Sequence, residues 1–389
     1  MSEVTILGPT PTAATRGGVA VHTDRLSRAL ARAGITAQVY SDSRLWDGSH
    51  DRIVGVRGCT AIRRTALIAS HPMTWVGILR AISADPRVSA LGMDLHLAAV
   101  RTMLISQAAS HEPARIVHIQ QADFRPLYAE WAGMSNRRLI TVHGLGALET
   151  REYPALSEII PANLKNAASI AVPSQALADE VIELGVAPER ITVIPSGVDH
   201  ETFWPRDRIA CRQELGIAPE RPLVVYVGRA TEYKGARDLI DAMALVREGG
   251  MDASLALVGP LGLAQPVLPG ADLMLPGEMD PERVALWMGA ADVIAVPSHY
   301  EGFGLVALEA MASGRPVVVT QIGGLAQIVP PGAGAHVPPR SPAALADAIA
   351  ALLCDKNRRV RAAALGIQTA AAYTWDRCAS AYASLYRSM

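Results

Sequence analysis

Short apolar runs alternate with amphipathic stretches along nearly the whole chain, a pattern that predicts β-strands alternating with α-helices. The apolar runs are VTILG, TAQVYS, RIVHIQ, LITVHG, SIAVPS and ITVIPS in the first half, and VVYVG, LALVG, LMLPG, VIAVP and PVVVT in the second. Runs that are apolar on both faces are typical of parallel strands covered by helices on two sides. The chain is therefore predicted to be an α/β protein. Residues 45–64 fit neither pattern and are expected to form loops and short strands.

Two domains are expected, because 389 residues exceed the size at which a single core usually divides. Turn-forming residues without periodicity fill 195–205, so this segment is predicted to be the interdomain linker. The expected organisation is a domain at 1–195, a second domain at 196–370 and a C-terminal helix within 371–389. The same strand–helix alternation occurs in both domains, so two doubly wound sheets are predicted.

The most informative segment lies at 293–321, where an apolar run leads through a glycine turn into a short helical pattern that ends at Gly314. It carries, in order, Glu301, Gly302, Phe303, Gly304, Leu305 and Glu309. Glycines allow the backbone to approach a ligand closely, and a helix N-terminus offers unpaired N–H groups to an anion. The segment therefore suits a phosphorylated sugar. Taken alone, the segment is equally compatible with a reading without a ligand, in which Glu301 is an ordinary loop residue and Glu309 a solvated helix residue.

Two further strand-to-helix turns carry residues that suit phosphate. After the run VVYVG the chain places Arg229 and Lys234 five residues apart. Arg binds phosphate in a fork and Lys binds it as a point charge, although two surface cations are also common. Near the N-terminus, Gly17 and Gly18 follow Arg16 in the loop before the first predicted helix. A single Gly-Gly loop is weak evidence. Three strand-to-helix turns with such residues, in this order along the chain, favour a diphosphate site.

The motifs SHYEGFGLVALEAMASGRPVV, VGRATEYKG and IPSGVD, with the N-terminal Gly-Gly loop, carry a resemblance. The chain resembles the retaining glycosyltransferases of family 4 over nearly its whole length. That family has the GT-B fold, in which two Rossmann-like domains face each other across a cleft. The resemblance implies that 1–195 binds the acceptor, that 196–370 binds a nucleotide sugar, and that the helix in 371–389 crosses back to the N-terminal domain.

The resemblance also implies roles for individual residues. The catalytic set that it implies is His143, Arg229, Lys234 and Glu301. The donor-binding set that it implies is Gly17, Gly18, Arg229, Lys234, Gly302, Phe303, Gly304, Leu305 and Glu309. In the family the first glutamate of the pair, here Glu301, faces the donor sugar, and the second, here Glu309, binds the ribose hydroxyls. The stretch LALVGPLGLAQPVLPGADLMLPGEMD departs from the family in length and carries no obvious base-specific side chain. The base therefore stays open.

The expected reaction moves a hexose or N-acetylhexosamine from a nucleotide diphosphate sugar, UDP-sugars first, to a hydroxyl on a bacterial small molecule, with retention of anomeric configuration. No cofactor beyond the donor is expected. No metal is expected either, because no acidic DxD motif is evident and Arg229 with Lys234 can take the place of a cation. Two alternatives remain: a nucleotide-sugar epimerase of the same fold, and a non-catalytic protein that binds sugar nucleotides.

The charge, the cysteines and the lengths of the apolar runs indicate which classes of partner are not expected. A net charge of −1 argues against nucleic acid as a partner. Cys59, Cys211, Cys354 and Cys378 form no CxxC pair or metal spacing, which is typical of reduced thiols in a cytoplasmic protein. The N-terminal residues run directly into a strand pattern and no apolar run reaches membrane-spanning length, so neither a signal peptide nor a membrane partner is expected. The sequence does not predict an oligomeric state.

Several polar residues permit two interpretations. His143 ends an apolar run, where a histidine is usually structural, but its Thr-x-His context matches the family. His22 and Asp24, on the first predicted helix, suit a ligand site and a solvated face equally well. Polar residues also end the third apolar run, where doubly wound folds bind ligands. Acceptor contacts are therefore one possible role for Gln120, Gln121 and Asp123.

Overall fold

A computed structural model describes residues 4–8, 17–40, 115–123, 126, 137–146, 156–263 and 273–389. The expectations for Arg16, for Cys59 and for residues 45–64 lie outside these ranges, as does the middle of the predicted nucleotide region. By their contacts, the residues divide into two compact units, unit 1 at 1–195 with 375–389, and unit 2 at 196–374.

Unit 1 is built on a parallel sheet. Its described strands are β1 Val4–Leu7, β2 Ala37–Tyr40, β3 Ile116–Ile119, β4 Arg138–Thr141, β5 Ser169–Val172 and β6 Ile191–Val193, in the order β2-β1-β3-β4-β5-β6. All six were predicted as apolar runs. The described helices are α1 Gly18–Arg32, α2 Leu156–Asn166, α3 Gln175–Glu183 and the C-terminal helix, numbered α11 below, Trp375–Ser388. In the sheet, β1 lies between β2 and β3, so the strand order reverses between β1 and β3.

Helices α1 and α11 cover one face of this sheet. The apolar stripe of α1, including Leu26 and Leu30, is fully buried against β1 and β3. From α11, Trp375, Tyr382 and Tyr386 enter the same core. Burial of an aromatic side chain of this size stabilises by roughly 2–3 kcal/mol. The C-terminal helix is therefore an integral part of unit 1.

Unit 2 repeats the architecture. Its described strands are β7 Leu223–Val227, β8 Ser254–Val258, β9 Leu273–Gly277, β10 Val293–Val296, β11 Val317–Thr320 and β12 Gly334–Val337, in the order β12-β11-β10-β7-β8-β9. The described helices are α4 Arg208–Leu215, α5 Ala236–Glu248, α6 Pro281–Ala290, α7 Leu305–Ala312, α8 Gly323–Ile328, α9 Pro342–Cys354 and α10 Lys356–Ala370. Two apolar clusters fill the two faces of the sheet. The strand order reverses between β7 and β10, which pair in parallel.

The structure differs from the sequence-based expectations at two places. Strand β12 was not predicted, because it is a partly exposed edge strand that begins with a glycine and has no apolar run. Residues 371–374 lie with unit 2, four residues beyond the expected boundary at 370. The reason is a short parallel bridge between Val198 and Thr374, with the Val198 amide donating to the Tyr373 carbonyl over 3.1 Å.

Candidate functional site

The topology of unit 2 brings two of the three predicted motifs together. In a doubly wound sheet, ligands bind beyond the carboxyl ends of the strands where the strand order reverses. Here those strands are β7 and β10. The loop after β7 carries Arg229 and Lys234, and the loop after β10 carries Glu301. Both loops therefore start from adjacent strands at the reversal point of the sheet.

Hydrogen bonds fix the loop after β7. The buried Tyr226 hydroxyl donates to the Arg229 carbonyl over 2.7 Å, and burial together with the nearby Glu301 carboxylate raises the pKa of this phenol. The Lys234 amide donates to Thr231 Oγ1 over 3.3 Å, while the Arg229 side chain is exposed. Gly235 has a φ of +70°, and a Cβ there would lie 1.9 Å from the Pro297 carbonyl oxygen. Only glycine permits this approach to the second loop.

Contacts from its neighbours also hold the loop after β10. The Thr320 hydroxyl donates to the Ser298 carbonyl over 2.6 Å, and the Gly324 amide donates to the Glu301 carbonyl over 3.1 Å. Gly304 has a φ of +104° and is packed against Leu325, so the chain turns into α7 through a left-handed residue. These contacts hold the backbone on both sides of Glu301.

Three contacts join the two loops. The His299 amide donates to the Tyr233 carbonyl over 3.0 Å, and the rings of Tyr233 and Tyr300 stack with centroids 6.1 Å apart. Lys234 Nζ lies 2.9 Å from Glu301 Oε2, and both side chains are partly exposed. The Ser298 hydroxyl donates to the same carboxylate oxygen over 3.3 Å. A cation and a carboxylate are thus held side by side at the carboxyl edge of the sheet.

Helix α7 presents its N-terminus next to this pair. Its first residue is Leu305, no acidic residue occupies the first turn, and no side chain caps it. Its first amides consequently provide a partial positive charge. Glu309 is the fifth residue of the helix and is partly exposed. The Phe303 side chain is buried and lies against Tyr373, with ring centroids 6.1 Å apart, so Phe303 offers the site its backbone only.

Unit 1 places its candidate residues at the corresponding point of its own sheet. Gln120 follows β3, His143 follows β4, and α1 begins just after Gly17. Gly17 and Gly18 are exposed, whereas His143 is only partly exposed. His143 Nε2 lies 2.9 Å from Gln120 Oε1. The edge of the β1–β3 reversal therefore holds the predicted histidine beside an amide.

Behind His143 lies a buried polar cluster. His118 Nδ1 is 2.7 Å from the Tyr386 hydroxyl, and His118 Nε2 is 2.7 Å from Thr141 Oγ1. The Tyr382 hydroxyl is 2.9 Å from the same Thr141 oxygen. The His22 ring lies edge-on to His143, with centroids 4.5 Å apart.

Burial lowers the pKa of all three histidines of this cluster. The pKa of His22 falls to about 4 and that of His118 to about 3. The pKa of His143 falls well below its usual value, mainly through burial and secondarily through repulsion from His22 and His118. All three rings are therefore neutral near pH 7.

The structure places the predicted residues in two groups. Lys234 and Glu301 are in direct contact, with Arg229 on the same loop as Lys234 and Glu309 on the helix that follows Glu301. Gly17, Gly18 and His143 belong to unit 1. Of the residues with two interpretations, His22 and Gln120 are fully buried, so neither is a solvated residue.

Sequence reasoning missed several polar partners. These are Ser298, the His299–Asp238 pair with 2.8 Å between Nε2 and Oδ2, and the cluster of His118, Thr141, Tyr382 and Tyr386. His118 and Thr141 sit inside apolar strand patterns, and the tyrosines sit in a helical stripe that predicts only core. A polar residue within an apolar strand was the one available signal.

Within the described ranges, no group of three or more His, Cys, Asp or Glu side chains is arranged to hold a metal ion. No described helix combines the length and apolarity that crossing a bilayer requires.

Two family models together match most of the chain. Residues 16–202 match the family described as "Glycosyltransferase Family 4", and residues 207–368 match "Glycosyl transferases group 1". The boundary between the two matches falls close to the boundary between units 1 and 2. Each unit is thus similar to a different recognised domain.

Curated relatives are similar over part of their length. A D-inositol 3-phosphate glycosyltransferase from Xylanimonas cellulosilytica is 37% identical over 225 residues, which cover 54% of this chain and 54% of the relative. An enzyme of the same name from Nocardia farcinica is also 37% identical over 225 residues, covering 54% of this chain and 50% of the relative. The chain thus matches about half the length of these relatives.

Solved structures are similar over the whole chain. Sucrose-phosphate synthase from Thermosynechococcus elongatus superimposes with a TM-score of 0.77 at 22% identity, covering 100% of this chain and 99% of that one. Anabaena HepE in complex with UDP-glucose gives a TM-score of 0.73 at 19% identity, covering 99% and 100%. At these identities the likeness shows the fold alone, and that fold is the two-domain α/β GT-B fold.

Proposed function

This chain belongs to glycosyltransferase family 4, and we propose that it transfers a hexose or an N-acetylhexosamine from a nucleotide diphosphate sugar to a hydroxyl acceptor. The observation that carries the proposal is the Lys234–Glu301 pair, with 2.9 Å between Nζ and Oε2, at the reversal point of the unit 2 sheet. One member suits the diphosphate and the other suits the hydroxyls of the sugar. A UDP-sugar is the first candidate donor.

The diphosphate is assigned to the cationic side of this edge. The Arg229 side chain is exposed, the Lys234 amide is held within its loop, and the first amides of α7 add a partial positive charge. As the bond between the sugar and the diphosphate breaks, negative charge accumulates on the leaving phosphate. Donors that are already oriented stabilise that charge without reorganising, which is worth about 3–4 kcal/mol for each lost contact.

The two glutamates receive different parts of the donor. Glu301 is fixed in its loop by Gly324 and Ser298, and its carboxylate is the group next to Lys234. We assign it to the sugar hydroxyls. Glu309 lies one turn further along α7. A carboxylate accepts two hydrogen bonds from a diol, so we assign Glu309 to the ribose.

Retention is proposed through attack on the face from which the diphosphate leaves. The acceptor oxygen forms a bond to the anomeric carbon as the bond from that carbon to the phosphate oxygen breaks. The acceptor proton passes to the departing phosphate oxygen, so no carboxylate of the protein becomes covalently attached. His143 of unit 1 is assigned a hydrogen bond to the substrate, because its ring is neutral and anchored on one side by Gln120. No cofactor other than the donor is part of this scheme.

A phosphorylated polyol is proposed as the acceptor. The relatives from Xylanimonas cellulosilytica and Nocardia farcinica are named for transfer to D-inositol 3-phosphate, and this supports an inositol phosphate as the first acceptor to try.

Mass spectrometry of reaction mixtures tests the proposal. The full chain is incubated with D-inositol 3-phosphate and, in separate reactions, with UDP-glucose, UDP-N-acetylglucosamine or GDP-mannose. The expected result is an acceptor heavier by one sugar residue, formed together with free UDP, or with free GDP when GDP-mannose is the donor. Because epimers have the same mass, the recovered donor is also examined by proton NMR, and its conversion to an epimer would indicate the epimerase instead. A donor that binds but never reacts would indicate a binding protein.

A further inference from the structure

We propose that Gln120 is a positioning residue. By linking His143 to the buried His118, it determines which ring nitrogen of His143 carries the proton. The inference rests on the proposed function only in assigning His143 to the reaction. The link itself is a property of unit 1 and can be measured without turnover.

Gln120 lies between the rings of His143 and His118, and its side chain also hydrogen-bonds the buried His22. Its Oε1 is 2.9 Å from His143 Nε2, and its Nε2 is 3.2 Å from His118 Nε2. Gln120 is fully buried, so water does not compete for either end of the amide. A side-chain amide accepts at its oxygen and donates at its nitrogen. The amide therefore cannot offer the same kind of end to both rings.

This asymmetry couples the two histidines. Because Oε1 accepts from His143, the proton of the neutral His143 ring lies on Nε2, and Nδ1 keeps a lone pair. Because the amide nitrogen donates to His118, Nε2 of His118 keeps its lone pair and its proton lies on Nδ1. That proton points at the Tyr386 hydroxyl, 2.7 Å away. The two Nε2 atoms thus carry opposite protonation whenever both rings are neutral.

The remaining contacts complete the chain. The Thr141 hydroxyl, 2.7 Å from His118 Nε2, is the nearer of the two donors that share this lone pair, the other being the Gln120 amide at 3.2 Å. The Tyr382 hydroxyl, 2.9 Å from Thr141 Oγ1, in turn donates to Thr141. Each hydrogen bond of this chain then joins one donor to one lone-pair atom, and buried polar groups generally require such partners. The chain runs from His143 at the edge of the sheet to two tyrosines, Tyr382 and Tyr386, on the C-terminal helix.

The position of Gln120 also depends on a glycine. A Cβ at Gly8, at the end of β1, would lie 2.6 Å from Gln120 Cβ and 2.8 Å from its Cγ. Any larger residue at position 8 would displace the Gln120 side chain. The sheet leaves this space at the strand reversal of unit 1, which is where His143 and α1 also meet the sheet edge.

The link fixes the position of the His143 proton, and that position matters for binding a substrate. A neutral histidine in water exchanges between two tautomers, and only one presents Nδ1 as an acceptor. Fixing the proton on Nε2 leaves Nδ1 ready to accept from a substrate hydroxyl at no cost in reorganisation. Gln120 thus acts through His143 and does not touch the substrate in this scheme.

Nitrogen-15 NMR of the histidine-labelled full chain at pH 7.5 measures the tautomer directly, because a protonated ring nitrogen and one with a lone pair differ widely in chemical shift. The His143 signals are assigned by their absence in His143→Gln. The expected wild-type result is a proton on Nε2 of His143 and on Nδ1 of His118. Gln120→Met should give a mixture of tautomers at His143. The matched control Gln175→Met, at an exposed glutamine paired with Asp179, should change nothing.

Tyr386→Phe is the more demanding test, because Tyr386 contacts His118 and the hydrogen-bonded link from His118 to His143 runs through Gln120. Loss of the acceptor for Nδ1 should move the His118 proton to Nε2, rotate the amide and move the His143 proton to Nδ1. Circular dichroism checks that each variant is folded. If Gln120→Met does not fold, the result for Tyr386→Phe is the one that tests the inference. The inference is overturned if the wild type carries the His143 proton on Nδ1, or if His143 keeps it on Nε2 in the folded variants.

Kinetics supply a second readout once a donor is known. Tyr386→Phe should lower kcat by about tenfold to a hundredfold, less than the loss of a whole preorganised contact, with little change in the donor KM. An inactive wild type would count against the proposed function, and the tautomer result would still stand or fall by itself.

Discussion

Lys234 and Glu301 are 67 residues apart in the sequence, yet Nζ of one lies 2.9 Å from Oε2 of the other. The backbone hydrogen bond between His299 and Tyr233 and the close approach of Gly235 to Pro297 hold the two loops together. Both side chains remain partly exposed. Each can therefore exchange part of its contact with the other for a contact with a donor.

Replacing Lys234 by alanine should weaken nucleotide binding and turnover together. The substitution removes a cation and leaves the Glu301 carboxylate facing the diphosphate. A charge-assisted contact is worth about 1.5–3 kcal/mol, which corresponds to about a tenfold to a hundredfold loss of UDP affinity. Calorimetry with UDP measures the effect. Lys356→Ala, at an exposed position on α10, is the matched control and should bind as the wild type does. Wild-type UDP affinity in Lys234→Ala would remove Lys234 from the site.

Substitutions of the two glutamates should affect the binding of UDP and the transfer of the sugar differently. Glu309→Ala should weaken free UDP and the UDP-sugar alike, because both contain the ribose. Glu301→Ala should leave UDP binding nearly intact but reduce transfer, at a cost of about 2–4 kcal/mol in the transition state. Calorimetry with UDP and kinetics with the intact donor on both variants distinguish the roles. A loss of UDP binding in Glu301→Ala, with normal binding in Glu309→Ala, would show that the assignments are reversed.

Acid should destabilise unit 1 through its buried histidines. The folded-state pKa values of His22 and His118, about 4 and about 3, lie below the usual 6.5. The unfolded chain therefore binds protons first as the pH falls, and stability is lost between pH 6.5 and those values. Each histidine contributes a slope of about 1.4 kcal/mol per pH unit once the pH is well inside that window.

Hydrogen exchange detected by mass spectrometry follows this effect in the strands on either side of the cluster, β3 and β4. Their protection should fall between pH 6.5 and 5, after correction for the intrinsic exchange rate, and it should fall more than that of β7 and β8 in unit 2. Equal changes in both units would show that the histidine cluster is not the cause.

Arg212 should be important for the stability of unit 2. Its guanidinium is fully buried, pairs with Asp292 over 2.7 Å, and donates to the carbonyls of Ala290, Pro219 and Arg221. Arg212→Met leaves a carboxylate and three carbonyls without these donors, so a loss of about 3–5 kcal/mol is expected.

The control for Arg212 is Arg208→Met. Arg208 reaches the same Asp292 at 3.5 Å but is more exposed, so its loss should cost less than about 1 kcal/mol. Thermal unfolding compares the two variants. Equal shifts in Tm would argue against a special role for the buried guanidinium.

The sequence was sufficient to predict the parallel sheets and the glycine-containing loops between strands and helices, because apolar runs and glycine turns are local signals. Edge strand β12 lacked such a signal. The pairing of Lys234 with Glu301 followed only from the topology, since adjacent β7 and β10 are not consecutive in the chain. The contact between His118 and Tyr386 joins residues 268 positions apart. Periodicity indicates which face of an element is buried, but it does not indicate which buried polar groups meet.

Proton NMR of a running reaction tests the central claim most directly. The full chain is mixed with an α-configured UDP-sugar and D-inositol 3-phosphate, and the anomeric proton of the sugar is followed from donor to product. We predict that the donor signal decays as a new α-configured glycoside signal grows, with UDP released in equal amount. A β-configured product would contradict retention. An unchanged donor signal with every UDP-sugar and with GDP-mannose would contradict the assignment of these loops to a nucleotide-sugar donor.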